Sequence, residues 1–230
     1  MNPDGTWTRS GEQTKVGSAQ PDFIAGFHTA LTYKDFSLSL LFDSRFGGQI
    51  VSGTYNYGMF TGVLKSSLYG RAAEYGGLER KLTDGRIVYD GMIPEGVFDK
   101  DTKIKGVDVG GKTYQWAYEQ KLVDPVSASA YYDSKYSWQY GIREEAVQDI
   151  SWIALREISL RWNMPKKLAH KLYLQNVNLG LLVRNVGYLY NSLPDNIHPE
   201  GLSSNRSYEF IEVGGAAYAR TYGFNVNITF

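Results

Sequence analysis

The sequence lacks four features that would each direct it to a particular class of protein. It has no cysteine among its 230 residues, which excludes disulfide bonds and thiol chemistry. No apolar run approaches the roughly 18 residues that a membrane-spanning helix needs, and the start, MNPDGTWTRSG, does not have the pattern of a signal peptide. Lys plus Arg equals Asp plus Glu at 24 each, so no basic excess indicates nucleic-acid binding.

Groups that carry catalysis or bind metals are also few. The three histidines, His28, His170 and His198, are scattered, and no spacing joins them to a nucleophile or to a second ligand. The aspartates within residues 99–108 lack the oxygen-ligand pattern of a calcium loop and lie among lysines. We therefore expect no enzyme activity, no metal and no cofactor.

One short motif points to a different function. The stretch GVDVGGKT, residues 106–113, matches the phosphate-binding P-loop. A P-loop follows a buried apolar strand, whereas DKDTKIK precedes this stretch, so a nucleotide enzyme is disfavoured. The alternative is a hairpin in which Val107 and Val109 enter a glycine turn and Tyr114, Trp116 and Tyr118 return from it.

The chain is rich in glycine and tyrosine, and apolar side chains alternate with polar ones in several stretches. It contains 25 Gly and 18 Tyr, a composition typical of many strands and turns. In the last residues, ARTYGFNVNITF, apolar side chains occupy every second position up to Phe230. Such a strand has one apolar and one polar face.

The same alternation recurs four more times. It covers residues 22–33 and 36–46, separated by the two-residue turn Lys34–Asp35, and then residues 150–163 and 173–187. The parity changes near Leu155 and Arg156, which predicts a β-bulge or an inward-facing apolar pair there. We expect five strands in one antiparallel meander.

The connections between these strands alternate between short and long. The turns at residues 34–35 and 165–172 are short, while residues 47–148 and 188–216 are long. Transmembrane β-barrels have this inequality, strands of about ten residues and aromatic side chains near the strand ends. The alternation is also compatible with a soluble or surface β-sandwich that serves in binding or adhesion.

Five stretches, in order, resemble the C-terminal portion of the SusC/RagA family of TonB-linked outer-membrane transporters. They are PDFIAGF, YKDFSLSLLFDSRFGG, DISWIALREISLRWNMPKKL, LLVRNVGYL with DNIHPE, and RTYGFNVNITF. The resemblance implies an all-β fold: the C-terminal antiparallel strands of a barrel of about 22 strands, with long extracellular loops. It further implies import of oligosaccharides or peptides across the bacterial outer membrane, with a SusD-like lipoprotein as lid and TonB coupled through a plug upstream of this chain.

The predicted division of the chain follows from the strands and this resemblance. It assigns residues 1–20 to an extracellular loop end, 21–46 to a barrel hairpin, 47–148 to a long extracellular loop, 149–187 to a barrel hairpin with a short periplasmic turn, 188–216 to an extracellular loop and 217–230 to the final barrel strand.

Two sets of candidate site residues result. Polar side chains on the predicted inward face should face the barrel lumen or the plug: Asp43, Arg45, Glu157, Arg161 and Arg184. Rings of the long loop can stack on sugars or on peptide side chains, and at least one of Trp116, Trp138 and Tyr132 is expected to face ligand or lid.

Overall fold

The computed structural model describes residues 1–139, 141–202, 210–216 and 218–230. The chain forms two compact units. Unit 1 consists of Met1–Gly17, Val51–Gln148 and Ile211–Gly214, and unit 2 consists of Ser18–Ile50, Asp149–Phe210 and Gly215–Phe230. We describe each unit by itself.

Most of the regular structure is β. The strands are β1 (Phe23–Tyr33), β2 (Phe36–Phe46), β3 (Gln49–Ser52), β4 (Leu78–Lys81), β5 (Ile87–Met92), β6 (Lys103–Ile104), β7 (Val107–Asp108), β8 (Val126–Ser127), β9 (Val147–Asp149), β10 (Trp152–Asn163), β11 (Asn176–Asn191), β12 (Ile211–Glu212) and β13 (Thr221–Thr229). The α-helices are α1 (Gly53–Thr61), α2 (Tyr114–Glu119), α3 (Ala128–Tyr136) and α4 (Lys166–Lys171).

Unit 2 is built on one five-stranded sheet. Its order in space, β1-β2-β10-β11-β13, is also the order in the chain, and all neighbours are antiparallel. The sheet is therefore a meander of the five strands that alternation predicts. The last strand was predicted to begin at residue 217, which lies outside the described residues, and its described part is β13.

The two short connections lie at the same end of this sheet. Tyr33 pairs with Phe36, so Lys34 and Asp35 form a two-residue turn, and Lys34 has the positive φ of 53° that such turns require. Between β10 and β11 the chain passes through α4, which begins after Pro165. Proline suits this position because it fixes φ and has no N–H to leave unpaired.

The predicted β-bulge is confirmed. The pairing of β10 shifts between Leu155 and Glu157 against both neighbouring strands, which leaves Arg156 as the extra residue. The extra residue of a β-bulge interrupts the alternation of side chains between the two faces of a sheet. The apolar side chains on either side of Arg156, Leu155 and Ile158, thereby remain on the same face of the sheet.

Unit 1 is a packed unit with its own apolar clusters. One cluster comprises Met1, Phe98, Val109, Tyr114, Ala117 and Val123. A second comprises Met59, Met92, Ala128, Tyr131, Tyr132 and Tyr136. The long segment between β2 and β10 supplies nearly all of these side chains, so much of its length serves to build a core.

Helices in unit 1 correct the all-β expectation. Three of them begin after a hydroxyl side chain that accepts from a helical N–H: Ser52 before α1, Thr113 before α2 and Ser127 before α3. Such caps satisfy N–H groups that the helix itself cannot pair. The described chain is therefore mostly β with some helices, and none of its described sheets closes into a barrel.

The glycine-rich motif at residues 106–113 forms neither predicted structure. Val107 and Asp108 pair with Lys103 and Ile104 in a two-residue ladder, and Tyr114 then begins α2 instead of a returning strand. The return strand was therefore wrong, because Thr113 caps a helix that buries Tyr114 and Ala117 three positions apart. The motif also lacks the buried parallel strand of a P-loop.

Candidate functional site

The strand register aligns apolar side chains across the whole five-stranded sheet. One row runs through all five strands as Leu31, Leu38, Leu160, Leu181 and Phe224. Leu31, Leu181 and Phe224 are more than half exposed, at 63%, 54% and 68%. A row of large apolar side chains at this exposure is unusual for a protein surface in water.

Neighbouring rows extend this surface in both directions. They are Tyr33, Phe36, Trp162, Leu179 and Val226; Thr29, Leu40, Ile158, Val183 and Tyr222; and Phe27, Phe42 and Leu155. Aromatic rings border the band, with Phe36 and Trp162 stacked 6.3 Å apart near the Lys34–Asp35 turn and Phe23 and Phe46 4.7 Å apart at the opposite end. We call this surface the apolar face.

The opposite surface of the same sheet is polar. Its rows include Ser37, Arg161, Gly180 and Asn225; Ser39, Ser159, Leu182 and Gly223; and Asn163, Asn178 and Asn227. All five side chains predicted to face a lumen, Asp43, Arg45, Glu157, Arg161 and Arg184, lie on this polar face. Their contact with a plug stays a prediction.

Contacts on the polar face organise most of these charges. Arg184 Nε lies 3.0 Å from Glu157 Oε2, and Arg156 Nη2 lies 3.2 Å from Asp43 Oδ2. Arg45 donates from Nη2 to the carbonyl of Ala19 at 2.6 Å, and its guanidinium carbon is 4.6 Å from the centre of the Phe210 ring. Opposite charges are thus arranged in pairs across adjacent strands.

Tyr132, predicted as a ligand contact, lies in the core of unit 1. The residue is only 2% exposed, and its hydroxyl donates to the carbonyl of Tyr69 at 2.9 Å. Burial raises the pKa of Tyr132 to about 12, because the charged phenolate would lose hydration. The ring packs against Tyr131 and Tyr136, so its position is that of a structural residue.

The two predicted tryptophans differ in environment. Trp116 is half-buried against the first cluster of unit 1, with Lys112 Nζ 5.6 Å from its ring centre. Trp138 is 45% exposed, stacks on Tyr57 at 5.4 Å and lies 4.1 Å from the Arg143 guanidinium carbon. An exposed stacked pair with a neighbouring cation offers aromatic surface and N–H donors to a polar ligand. Tyr140, another ring of this segment, lies outside the described residues.

The sequence did not reveal a charged and aromatic cluster centred on Arg156. Arg156 Nη2 donates to both carboxylate oxygens of Glu200, at 2.7 and 2.8 Å, in addition to its contact with Asp43. The Tyr188 hydroxyl donates to Glu200 Oε2, and the Glu200 amide donates to His198 Nδ1 at 3.2 Å. The parity change at Arg156 was the one signal in the sequence that pointed to this place.

The described residues lack two features, a metal-binding cluster and a membrane-spanning helix. No group of three or more His, Cys, Asp or Glu side chains lies close enough to hold a metal ion in the portion that the structure describes. Among those same residues, no helix combines the length and the apolar character that crossing a membrane requires.

Comparison with known proteins gives a weak structural likeness. No protein-family profile matches the sequence, and no curated protein matches it. Among solved structures, the chain is similar to one described as "Structure of the RagAB peptide importer in the 'closed-closed' state", with a TM-score of 0.42 and 13% identity. The match covers 92% of this chain and 18% of that chain, so the chain spans less than a fifth of the length of that structure's chain.

Proposed function

We propose that this chain forms the C-terminal wall of a TonB-dependent importer in the bacterial outer membrane, of the SusC/RagA type. The observation that carries the proposal is the exposed apolar face, which extends across five neighbouring strands while the opposite face is polar. A barrel wall needs lipid-facing and lumen-facing residues in this alternation. In this proposal the chain is not an enzyme and uses no cofactor.

Strand length supports the same proposal. β1 and β2 have 11 residues each. At about 3.3 Å per residue and the tilt of roughly 45° found in barrels, such a strand crosses about 26 Å, close to the apolar band of outer-membrane barrels. The short connections at one sheet end then belong to the periplasmic side.

The second candidate is a soluble β-sandwich for binding or adhesion. A sandwich buries the apolar face of each sheet against the other sheet. Leu160 and Leu181, which lie on the interior strands β10 and β11 of the apolar face, are 38% and 54% exposed, and this degree of exposure favours the barrel wall.

Site-directed spin labelling distinguishes the two candidates. This chain has no cysteine of its own, so Leu181→Cys and Leu182→Cys each add one labelling site to it, on adjacent residues of opposite faces. In the intact protein reconstituted into liposomes, we expect the label at 181 to collide more often with oxygen, which is enriched in lipid. The label at 182 should collide more often with a water-soluble nickel complex.

The outcome for position 181 decides between the candidates. A label there that neither oxygen nor the nickel complex reaches indicates the interior of a sandwich. A label that the nickel complex reaches as readily at 181 as at 182 excludes lipid contact. Either result overturns the barrel-wall proposal.

The proposed substrates are oligosaccharides or peptides, and the proposed lid is a SusD-like lipoprotein. Trp138 is the best placed of the predicted rings to contact either one, because it remains nearly half exposed. We expect Trp138→Ala to weaken nutrient uptake or lid association in the intact transporter, with Tyr75→Ala, an exposed ring elsewhere in unit 1, as the matched control. Wild-type uptake and lid binding in the Trp138 variant would remove this residue from the proposal.

A further inference from the structure

A pocket of about 300 Å³ opens beside the β-bulge of unit 2, at the sheet end where the long connections begin. Its wall is formed by the start of β10, the end of β11 and the segments around residues 196–198 and 218–220. Pockets of this size accept small organic molecules. The sheet deviates from regular pairing here, because Arg156 is the extra residue on β10 and the register against β11 shifts.

The backbone around the pocket adopts an uncommon conformation at several residues. Asn185, Asp195 and Asn196 have φ values of 53°, 52° and 58°, in the left-handed region that non-glycine residues rarely occupy. Asn185 and Asn196 both line the pocket. Such conformations cost free energy and cluster at functional sites, so their grouping around one pocket directs attention to it.

One arginine of the wall is not paired with a carboxylate among the residues that the structure describes. The lining includes Arg156 and Arg220 and no aspartate or glutamate, and His198 accepts at Nδ1 from the Glu200 N–H, as a neutral imidazole does. Arg156 is already paired with Glu200 and Asp43, whereas Arg220 donates from Nη2 to the Val186 carbonyl at 2.5 Å and is otherwise exposed. A guanidinium has five N–H donors, so Arg220 retains donors for a carboxylate.

The remaining wall is suited to an apolar group next to that carboxylate. Ala154 and Val186 are aliphatic residues of the lining. The Tyr218 ring is 49% exposed and packs edge-to-face against the His198 ring at a centroid distance of 4.8 Å. Burial, followed by the nearby charge of Glu200, raises the pKa of Tyr218, so at neutral pH its hydroxyl keeps a proton to donate.

We propose that this pocket is a binding site for a small organic carboxylate that carries an aromatic or branched apolar group. Arg220 binds the carboxylate, Asn196 and Tyr218 supply further polar contacts at the rim, and the aliphatic wall contacts the apolar group. The Arg156–Glu200 pair fixes the wall, since Glu200 also accepts from the Tyr188 hydroxyl. The site is independent of the proposed transport function, because its residues all belong to unit 2 and it requires no partner.

Calorimetric titration of the intact protein in detergent tests the site with three probes of similar size. Phenylacetate carries the ring and the charge, phenylacetamide is its neutral analogue, and phenethylamine carries the opposite charge. We expect phenylacetate to bind at least tenfold more tightly than the other two. Equal binding of the acid and the amide, preference for the amine, or no binding of any probe would overturn the proposal.

Variants then assign the binding to this pocket. Arg220→Gln removes the charge, keeps the aliphatic part of the side chain and should lower the affinity for phenylacetate to that for phenylacetamide. Arg86→Gln is the matched control, since the Arg86 side chain is 75% exposed in unit 1. Asn196→Asp adds a negative charge at a backbone position that aspartate tolerates, so it decides the question if Arg220→Gln fails to fold. Unchanged phenylacetate binding in a folded variant of either kind contradicts the assignment.

Discussion

At the residue scale, Glu212 is the most unusual side chain of unit 1. It is 2% exposed, and its carboxylate accepts from the hydroxyls of Ser52, at 2.7 Å, and Thr54. Ser52 also caps α1 by accepting from the Tyr55 N–H. A helix N-terminus favours a negative charge, which explains how a carboxylate is accommodated here with hydroxyl partners.

Removing this carboxylate should destabilise unit 1. We expect Glu212→Ala to lower the free energy of unfolding by about 2–3 kcal/mol, because two hydroxyls lose their acceptor in the interior. Glu212→Gln should cost less, since its amide oxygen still accepts from one hydroxyl. Urea unfolding followed by tryptophan fluorescence measures both, with Glu74→Ala as the exposed control. Identical midpoints for Glu212→Ala and the control would refute this role.

Two buried tyrosines predict how stability depends on alkaline pH. Burial raises the pKa of both Tyr114 and Tyr132 to about 12, above the ordinary value of 10. A group whose pKa is higher in the folded state contributes stability below the unfolded pKa and loses it as pH rises through the folded pKa. We therefore expect the thermal midpoint to be constant up to about pH 10 and to fall between pH 10 and 12.

Tyr132→Phe provides the comparison for this pH dependence. The variant cannot ionise at this position, so its midpoint should fall less steeply above pH 10, although losing the hydrogen bond to Tyr69 lowers its stability at neutral pH by about 1 kcal/mol. Absorbance at 295 nm follows tyrosine ionisation in the same samples. If every tyrosine ionises near pH 10 in the folded protein, the effect of burial is absent.

At the element scale, alternation was sufficient to predict the large sheet and insufficient for unit 1. Five strands, β1, β2, β10, β11 and β13, each have one apolar and one polar face. This difference is visible in the sequence of a single strand, without knowledge of its neighbours. The helix α2 was missed because Tyr114, Trp116 and Tyr118 alternate like a strand, whereas the buried pair is Tyr114 and Ala117. Only tertiary packing selects between these two readings.

The two faces of β11 offer a direct comparison at adjacent positions. Leu181 is on the apolar face and Leu182 on the polar face. If the apolar face contacts lipid, Leu181→Lys should cost about 2–4 kcal/mol near the bilayer midplane, and Leu182→Lys should cost less. The measurement is the urea midpoint of the intact protein in liposomes, together with the folded fraction in membranes. Equal effects of the two lysines would argue against lipid contact.

At the scale of the whole molecule, the candidate pocket depends on contacts between distant parts of the chain. Arg156 contacts Asp43, 113 residues away, and Glu200, 44 residues away. The motif DNIHPE, which contains His198 and Glu200, is one of the stretches that resemble the transporter family. Nothing in the sequence indicates that these two residues lie near Arg156. The alternation along each strand was sufficient to predict which charged side chains share one face of the sheet. Which of them contact residues far away in the sequence depends on the fold.

The five-stranded sheet also has two edges, formed by β1 and β13. Among the residues that the structure describes, no further strand pairs with the outer side of either edge strand, and such edges pair readily with other chains. A closed barrel with room for side chains needs about eight strands or more. Five strands therefore require further strands, from the same or another polypeptide, to complete a barrel wall.

This requirement predicts the behaviour of the 230 residues prepared alone. In detergent they should sediment as oligomers, because pairing between β1 of one copy and β13 of another satisfies both edges. Asn225→Lys with Asn227→Lys places two charges on exposed positions of the β13 edge and should lower the sedimenting mass, while Asn178→Lys on the interior strand β11 should leave it unchanged. Sedimentation velocity at several protein concentrations measures the mass. A wild-type chain that sediments as a monomer throughout would contradict the argument that its edges need a partner.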